Sequence, residues 1–351
     1  MSKKIRCGII GCGVIAPSHA EGYASIEDVE LVWACDLVRE KAEKLASKYK
    51  IPKVCTDYRE VLADPELDCI SICTDHASHA PIAIEAFRRN KHVLCEKALS
   101  SSKQGLDSMF EAHRKHSDLV FAPVFQNRFN KIYQLIKKLV SENAFGTILT
   151  MDLQFHCLRT NEYYDSDEWR GTWSKEGGSL LINQAIHFID LLNWTGGGIK
   201  AVFGTYSNLT HSNHIETEDT AVASLRFKNG ALGTISATSS SKLEWDQTLS
   251  INGTKGSLDI RNDKVLRITL DDATLADSFQ SEIKRIENEK AENLVGKSYY
   301  GPNHGSQIAD FIDSVRSGKE LFVSPSSARE TVEVVLGIYQ SHREKKWIKI
   351  G

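Results

Sequence analysis

The run Gly11-Cys12-Gly13-Val14-Ile15-Ala16 constrains this chain more than any other feature, because it follows directly on the apolar stretch Ile5–Ile10 and opens a segment of helical pattern. In a strand–turn–helix unit, the first glycine permits the tight turn and the second lets backbone approach a pyrophosphate. The small third residue, here Ala16, allows the helix to pack closely on the strand. Free N–H groups at the helix start, around Val14 and Ile15, then face the phosphates. Asp36 closes the second strand-like run 25 residues beyond Gly11. A carboxylate there accepts hydrogen bonds from ribose hydroxyls and repels a 2′-phosphate, so the pattern predicts NAD rather than NADP. Arg39 lies close enough to soften that preference, and a glycine turn with no ligand is the plainer alternative.

The alternation continues downstream. Strands are expected at Val29 to Asp36, Cys69 to Thr74, His92 to Cys95 and Leu119 to Phe121, with helices at Val38 to Tyr49, Ala80 to Arg89 and Ser102 to His116. Strand, helix, strand implies parallel pairing with crossovers and a sheet covered on both faces. After about Pro123 the texture changes to a helix at Lys131 to Val140 and long strand candidates at Thr147 to Leu158, Ala201 to Ser207, Ala221 to Phe227, Ala231 to Ala237, Thr248 to Ile251 and Val265 to Leu270. Lys228-Asn229-Gly230 and Asn252-Gly253 read as hairpin turns. One strong helix is expected at Leu180 to Trp194 and two more near Ser306 to Arg316 and Ala328 to His342. The charge-rich Ala276 to Lys297 reads as a solvated helix or loop. The expectation is an α/β dinucleotide-binding domain over 1–123 and an α+β domain with a large, mostly antiparallel open sheet over 124–351. At roughly 150 residues per domain, 351 residues suit two domains.

Composition narrows the function. With 41% hydrophobic and 25% charged residues, the chain is ordinary globular protein. A net charge of −3 without a long basic run gives no electrostatic reason to expect nucleic acid or an anionic membrane as partner. No stretch approaches the roughly 18 apolar residues of a membrane span. Lys3 and Lys4 before the apolar run mimic a secretory leader, but the glycines Gly8, Gly11 and Gly13 within it have the better explanation above. Eight cysteines, seven of them between Cys7 and Cys95 and none in a CxxC pair, read as buried thiols of a reducing, cytoplasmic compartment.

Two histidine pairs, His76-x-x-His79 and His211-x-x-His214, lack the HExxH arrangement and any accompanying ligand set, so no metal is expected. Thr74 to His79 instead follows the C-terminal end of a strand, the edge where parallel sheets bind ligands. A loop touching the cofactor through Thr74, His76 and His79 is the expectation.

Taken together, Gly11-x-Gly13, Thr74 to His79, Lys91-His92-Val93-Leu94-Cys95-Glu96-Lys97 and Gly177-Gly178-Ser179-Leu180-Leu181-Ile182-Asn183-Gln184-Ala185-Ile186-His187-Phe188-Ile189-Asp190 resemble the glucose-fructose oxidoreductase, inositol dehydrogenase and rhizopine catabolism family over essentially the whole chain. The resemblance implies a Rossmann domain followed by an open-sheet domain, with a sugar or cyclitol carbon oxidised or reduced by a nicotinamide cofactor. It also implies a homodimer or homotetramer. Two positions depart from the family pattern. Glu96-Lys97-Ala98 stands where Glu-Lys-Pro is usual, and Asn183 stands where many sugar dehydrogenases carry aspartate. Asn183-Gln184, with Tyr163-Tyr164-Asp165, Trp169-Arg170-Gly171-Thr172-Trp173 and Gln126-Asn127-Arg128-Phe129, looks most like the branch that oxidises C3 of UDP-N-acetylglucosaminuronate. Glu96, Gln126, Trp169 and Arg170 are then expected near the cofactor.

Oxidising a secondary alcohol requires a carbon held over the nicotinamide, a base for the hydroxyl proton and a cation for the developing alkoxide. Lys97, at a strand end inside the motif, is the candidate cation, worth roughly 3–4 kcal/mol by analogy with oxyanion-hole donors. Asn183 and His187, four apart on the expected helix, share a face. His187 is the candidate base, since an ordinary pKa of about 6.5 suits proton transfer near neutrality. Asp190 could orient His187, although an inter-helix polar contact is the plainer role. An anionic uronate nucleotide requires local cations in a chain of net charge −3, and Arg128, Arg159 and Arg170 are those available. Tyr164, Gln184 and His304 complete the expected substrate set, His304 from a loop beginning at Tyr300 for which a simple turn with an N-cap is an equal alternative. A dehydrogenase or ketoreductase of another sugar (an inositol, a free hexose, a dTDP-ketosugar) is the nearest alternative, and a non-catalytic dinucleotide-binding protein the more distant one.

Overall fold

The computed structural model of the chain describes residues 4–288 and 303–351. Tyr300, Gly301 and Pro302, expected at the start of a substrate loop, and the end of the charge-rich segment lie outside the described residues. The chain divides into two compact units.

The first unit is built on β1 (Ile5–Ile10), α1 (Ala16–Ala24), β2 (Val29–Cys35), α2 (Arg39–Tyr49), β3 (Lys53–Cys55), α3 (Tyr58–Ala63), β4 (Cys69–Ile72), α4 (His76–Arg88), β5 (His92–Cys95), α5 (Lys103–Arg114) and β6 (Phe121–Pro123). All six strands are parallel, in the order β3-β2-β1-β4-β5-β6. This is the doubly wound order, with its reversal between β1 and β4. The short strand β3 carries too few residues to show periodicity and was not foreseen. The last strand starts two residues later than expected and includes Pro123, which is tolerated because β6 is an edge strand.

The second unit contains α6 (Lys131–Ser141), β7 (Ile148–Leu158), α7 (Asn161–Asp165), a π-helical turn at Leu180–Gln184, α8 (Ile186–Thr195), β8 (Ile199–Ser207), β9 (Thr220–Phe227), β10 (Leu232–Thr238), β11 (Ser240–Gly253), β12 (Gly256–Arg261), β13 (Lys264–Leu270) and α9 (Ala273–Asn288). Then come α10 (His304–Ser317), α11 (Pro325–Glu344) and β14 (Ile348–Lys349). The eight-stranded sheet runs β13-β12-β11-β7-β10-β9-β8-β14, antiparallel except for the β7–β10 pair. Strand burial alternates strictly in β9. Inward-facing Met151, Leu153, Phe155, Leu225, Ile235, Leu249 and Ile251 form one apolar face. Phe155 stacks on Phe188 of α8 and meets the edge of Trp245, fixing that helix on the sheet.

Three expectations are corrected. The second domain does not hold all of 124–351, because α10 groups with the first unit. Its Ile308, Phe311 and Ile312 pack into the core formed by Cys7, Tyr23, Cys69 and Leu94. The first unit's sheet needs that apolar face covered, and sequence distance does not prevent a later helix from covering it. Asn252-Gly253 is not a turn: β11 runs through it to Gly253, and Thr254-Lys255 connects to β12. The glycine at 253 is required by close approach instead, since a Cβ would stand 2.2 Å from the carbonyl oxygen of Phe145. The helix expected from Leu180 is broken into the π turn and α8.

Candidate active site

In the first unit, the glycine loop lies where the strand order reverses. Gly11 donates its N–H to the Cys35 carbonyl at 2.8 Å, and Cys73 donates to that of Ile10 at 2.7 Å, tying three strand ends together. Gly11 has φ +90°, and a Cβ on it would sit 2.5 Å from the backbone carbonyl of Cys73, so no larger residue fits. A Cβ on Gly13, by contrast, would meet nothing within 4 Å. That open space beside the start of α1, with Val14 exposed, is what a pyrophosphate requires. Asp36 accepts from the N–H of Cys12 at 2.7 Å and of Val38 at 2.8 Å. It therefore braces the glycine loop and, as a carboxylate with further lone pairs on both oxygens, retains acceptor capacity for ribose hydroxyls. These residues fit NAD.

Thr74, His76 and His79 stand at the sheet's C-terminal edge as expected. Asp75 caps α4 by accepting from Ser78 N–H, placing His76 at the first helical position. Both histidines are buried. His79 Nδ1 lies 2.7 Å from the Ala98 carbonyl, so it joins this loop to the end of the Glu96-Lys97-Ala98 segment. Burial lowers its pKa below the ordinary imidazole value. The Lys97–Ala98 peptide is cis. Lys97 is half-buried, whereas Glu96, Ala98 and Leu99 around it are buried.

Glu96 collects partners from two other elements. Its Oε1 accepts from His19 Nε2 of α1 at 3.0 Å and lies 3.6 Å from His304 Nε2 of α10. His19 Nδ1 faces Ser71 Oγ at 2.9 Å, and Ser71 meets the Tyr23 hydroxyl at 2.8 Å. Burial would push Glu96 up, but the imidazole hydrogen bonds hold it well below the ordinary carboxylate range. The other carboxylate oxygen accepts the backbone N–H of Lys97. His304, expected in the substrate set, is a buried neighbour of Glu96 in the first unit. His19 was not singled out from sequence. Gln126 is buried at the end of this unit.

In the second unit the segment Glu176–Asn193 carries the family motif, and within it every residue is buried except Asn183 and His187, which are half-buried. Glu218 shapes the segment. Its carboxylate accepts from the N–H groups of Ser179 and Leu181 and from the Tyr339 hydroxyl. Gly178 is glycine because a Cβ would lie 2.2 Å from that hydroxyl, at φ +142°. The N–H of Ala185 reaches back to Leu180 at 2.9 Å, the wide spacing that marks the π turn. Asn183 thus belongs to the π turn and His187 to α8, not to one regular helix face, and both still emerge from the buried segment.

Gln184 links the cations. Its Oε1 accepts from Arg159 Nε at 2.9 Å, and its Nε2 donates to the Tyr163 hydroxyl at 2.8 Å. Arg170 donates to the same hydroxyl at 2.6 Å and to Asp167 at 3.1 Å. Both guanidinium groups lie over the Tyr163 ring, at 4.9 and 4.4 Å from its centroid. Trp169 stacks on Arg170. Tyr164 is buried and meets Ser239 at 3.0 Å. Arg159, Arg170, Trp169, Tyr164 and Gln184 are therefore gathered around Tyr163, a residue the sequence placed only in a motif.

Arg128 is a correction. Its guanidinium is 1% exposed and bidentate with Asp190, at 2.7 and 2.6 Å, and it donates also to Ser327 at 2.7 Å. The planar fork meant for a substrate anion is occupied by a carboxylate of this chain. The same pairing, with Thr331 donating to Asp190 at 2.7 Å, assigns Asp190 an inter-helix role rather than one beside His187.

A glycine loop at the reversal of a six-stranded parallel sheet, together with a half-buried amide and imidazole on a second, open-sheet unit, fits a nicotinamide-dependent oxidoreductase of the two-unit kind. Residues 5–123 match the oxidoreductase family's NAD-binding Rossmann fold and residues 137–350 its C-terminal alpha/beta domain, so the chain belongs to the glucose-fructose oxidoreductase, inositol dehydrogenase and rhizopine catabolism family. It is an NAD-dependent dehydrogenase of the sugar and polyol class. The chain is similar to the WlbA dehydrogenase of Bordetella pertussis, solved with NADH and UDP-GlcNAcA, with 26% identity, a TM-score of 0.90 and coverage of 100% of this chain and 99% of that one. It is likewise similar to WlbA of Chromobacterium violaceum, solved with the same two ligands (25%, 0.90, 100% and 97%). The myo-inositol 2-dehydrogenase of Thermotoga maritima is 26% identical over 99% of this chain and 98% of its own length. Among the described residues, no helix is long and apolar enough to cross a membrane.

Proposed function

We propose that this dehydrogenase oxidises C3 of UDP-N-acetylglucosaminuronate to a ketone, a step in making precursors of surface polysaccharide. The observation that carries the reading is the pair Asn183 and His187, the two side chains that leave an otherwise buried segment. An amide and an imidazole can hold a sugar hydroxyl and accept its proton. The full-length likeness to dehydrogenases solved with UDP-GlcNAcA supports the choice of substrate. The guanidinium groups of Arg159 and Arg170 supply cations for an anionic sugar.

Bound NAD supplies the two-electron acceptor. His187 takes the hydroxyl proton, and the Lys97 ammonium stabilises the negative charge that develops on the oxygen as the C–H bond breaks. Asp36 and the glycine loop bind and orient the dinucleotide. The enzyme acts in the cytoplasm as a homo-oligomer, a state that light scattering on the purified protein measures.

The test is to mix the protein with NAD and separately with UDP-GlcNAcA, myo-inositol and free hexoses, following reduced cofactor by absorbance. Turnover of the nucleotide uronate is expected. Turnover of myo-inositol or a free hexose with none of the nucleotide uronate replaces the substrate, and no turnover with any of them removes the reading.

A further inference from the structure

The family's common aspartate is absent at position 183, yet a carboxyl group lies against Asn183 all the same. Glu176, seven residues earlier, is 1% exposed, and one carboxylate oxygen accepts the Gly171 N–H while the other accepts Asn183 Nδ2. An ionised carboxylate accepts hydrogen bonds and donates none, and it repels an amide oxygen. The amide of Asn183 therefore has one favoured sense, with Nδ2 toward Glu176 and Oδ1 turned away. We propose that Glu176 is a positioning residue that sets this sense, so that Asn183 offers its carbonyl oxygen as the acceptor for the sugar hydroxyl. The proposal rests on the reading that Asn183 meets substrate, and deepens it.

The groups around Glu176 make the device titratable. Burial pushes its carboxyl up to about 7, against the downward pull of the Gly171 and Asn183 hydrogen bonds and of Arg170. Glu218, also buried, pushes in the same direction. The phenols of Tyr163, Tyr164 and Tyr339 are the other titratable neighbours, and burial raises all three above their ordinary value. Glu176 therefore changes protonation across neutral pH, beside Glu218, whose carboxyl is also pushed up by burial. On protonation Glu176 gains a donor and loses its exclusive hold on Nδ2.

The substitution Glu176→Gln keeps the shape and reverses the logic. The Gly171 N–H still requires an oxygen, so the new amide presents its NH2 to Asn183, and Asn183 must turn its own oxygen inward. Two measurements test the proposal. The side-chain amide 15N resonance of Asn183 is expected to move with a midpoint near pH 7 in the wild type and to stay flat in Glu176→Gln. On whichever sugar the wild type oxidises, Glu176→Gln should lose about ten-fold in kcat/KM with NAD affinity unchanged, the size of one misdirected hydrogen bond. The double variant Glu176→Gln/Asn183→Asp should recover most of that loss, because a carboxylate at 183 accepts from both the new amide and the sugar. A wild-type Asn183 resonance that does not move across neutral pH overturns the proposal, even where the single variant fails to fold. A double variant no better than Glu176→Gln overturns it too. A wrong substrate assignment changes only the sugar used in the kinetic arm.

Discussion

Arg128 and Asp190 are joined by two parallel N–H···O bonds, Nε to Oδ2 at 2.7 Å and Nη2 to Oδ1 at 2.6 Å, with both side chains 1% exposed. Removing one partner strands the other charge in the interior. Arg128→Ala is expected to cost about 3–5 kcal/mol of stability, read by chemical denaturation. Arg128→Lys should recover only part of it, because a single ammonium cannot reproduce the planar fork. An Arg128→Ala protein of unchanged stability and weakened substrate binding would return Arg128 to the substrate site.

Lys97→Ala should lower kcat by about 10²–10³ while leaving NAD affinity intact, the signature of a charge used in the transition state. Steady-state kinetics alongside calorimetric NAD titration separates the two quantities. Near-normal turnover removes Lys97 from the mechanism.

Asp36→Ala acts twice, since the carboxylate holds the N–H groups of Cys12 and Val38 as well as facing the expected ribose. Losing charge-assisted bonds of roughly 1.5–3 kcal/mol should weaken NAD binding about ten-fold or more and narrow its advantage over NADP. Equal losses for both cofactors would show that only the bracing of the loop matters.

Glu176 also makes stability depend on pH. Its folded-state pKa of about 7 stands above the ordinary value of 4.5. In that window the folded protein binds the proton more tightly than the unfolded chain, so the contribution is complete below about pH 4.5 and lost as pH rises through 7. Relative to Glu176→Gln, the wild type should therefore lose roughly 3 kcal/mol between these limits. Denaturation midpoints of the two proteins across this range measure the difference, and parallel curves would show that Glu176 ionises normally.

The cofactor half of the site was legible because its determinants are local. Gly11, Gly13 and Asp36 act through turn geometry and the ends of adjacent strands, and the loop after β4 follows from the edge rule of parallel sheets. Lys97 and His187 are proposed through motif context, since a lone lysine or histidine carries no such signal. Glu176 directly precedes the Gly177-Gly178 turn, a position that hints at constraint but not at a partner. Glu218 and His19 lie in stretches with no pattern of their own. Arg128 was misassigned because a chain cannot reveal which of its arginines a distant aspartate will claim.

The linear order of residues by itself determined the parallel α/β unit, the mixed-sheet unit, the dinucleotide loop and the motif segment bearing Asn183 and His187. These follow from periodicity, turn chemistry and contiguous motifs, all interactions between residues close along the chain. The tertiary structure alone decided that α10 covers the first unit and that Glu96 is gripped by His19 and His304. It decided also that Asp190 takes Arg128 and that Glu176 takes Asn183. Each of these is the burial of a charged, polar or apolar group that must find its complement in the interior. Which complement is nearest is fixed by how distant elements pack, and not by their spacing in sequence.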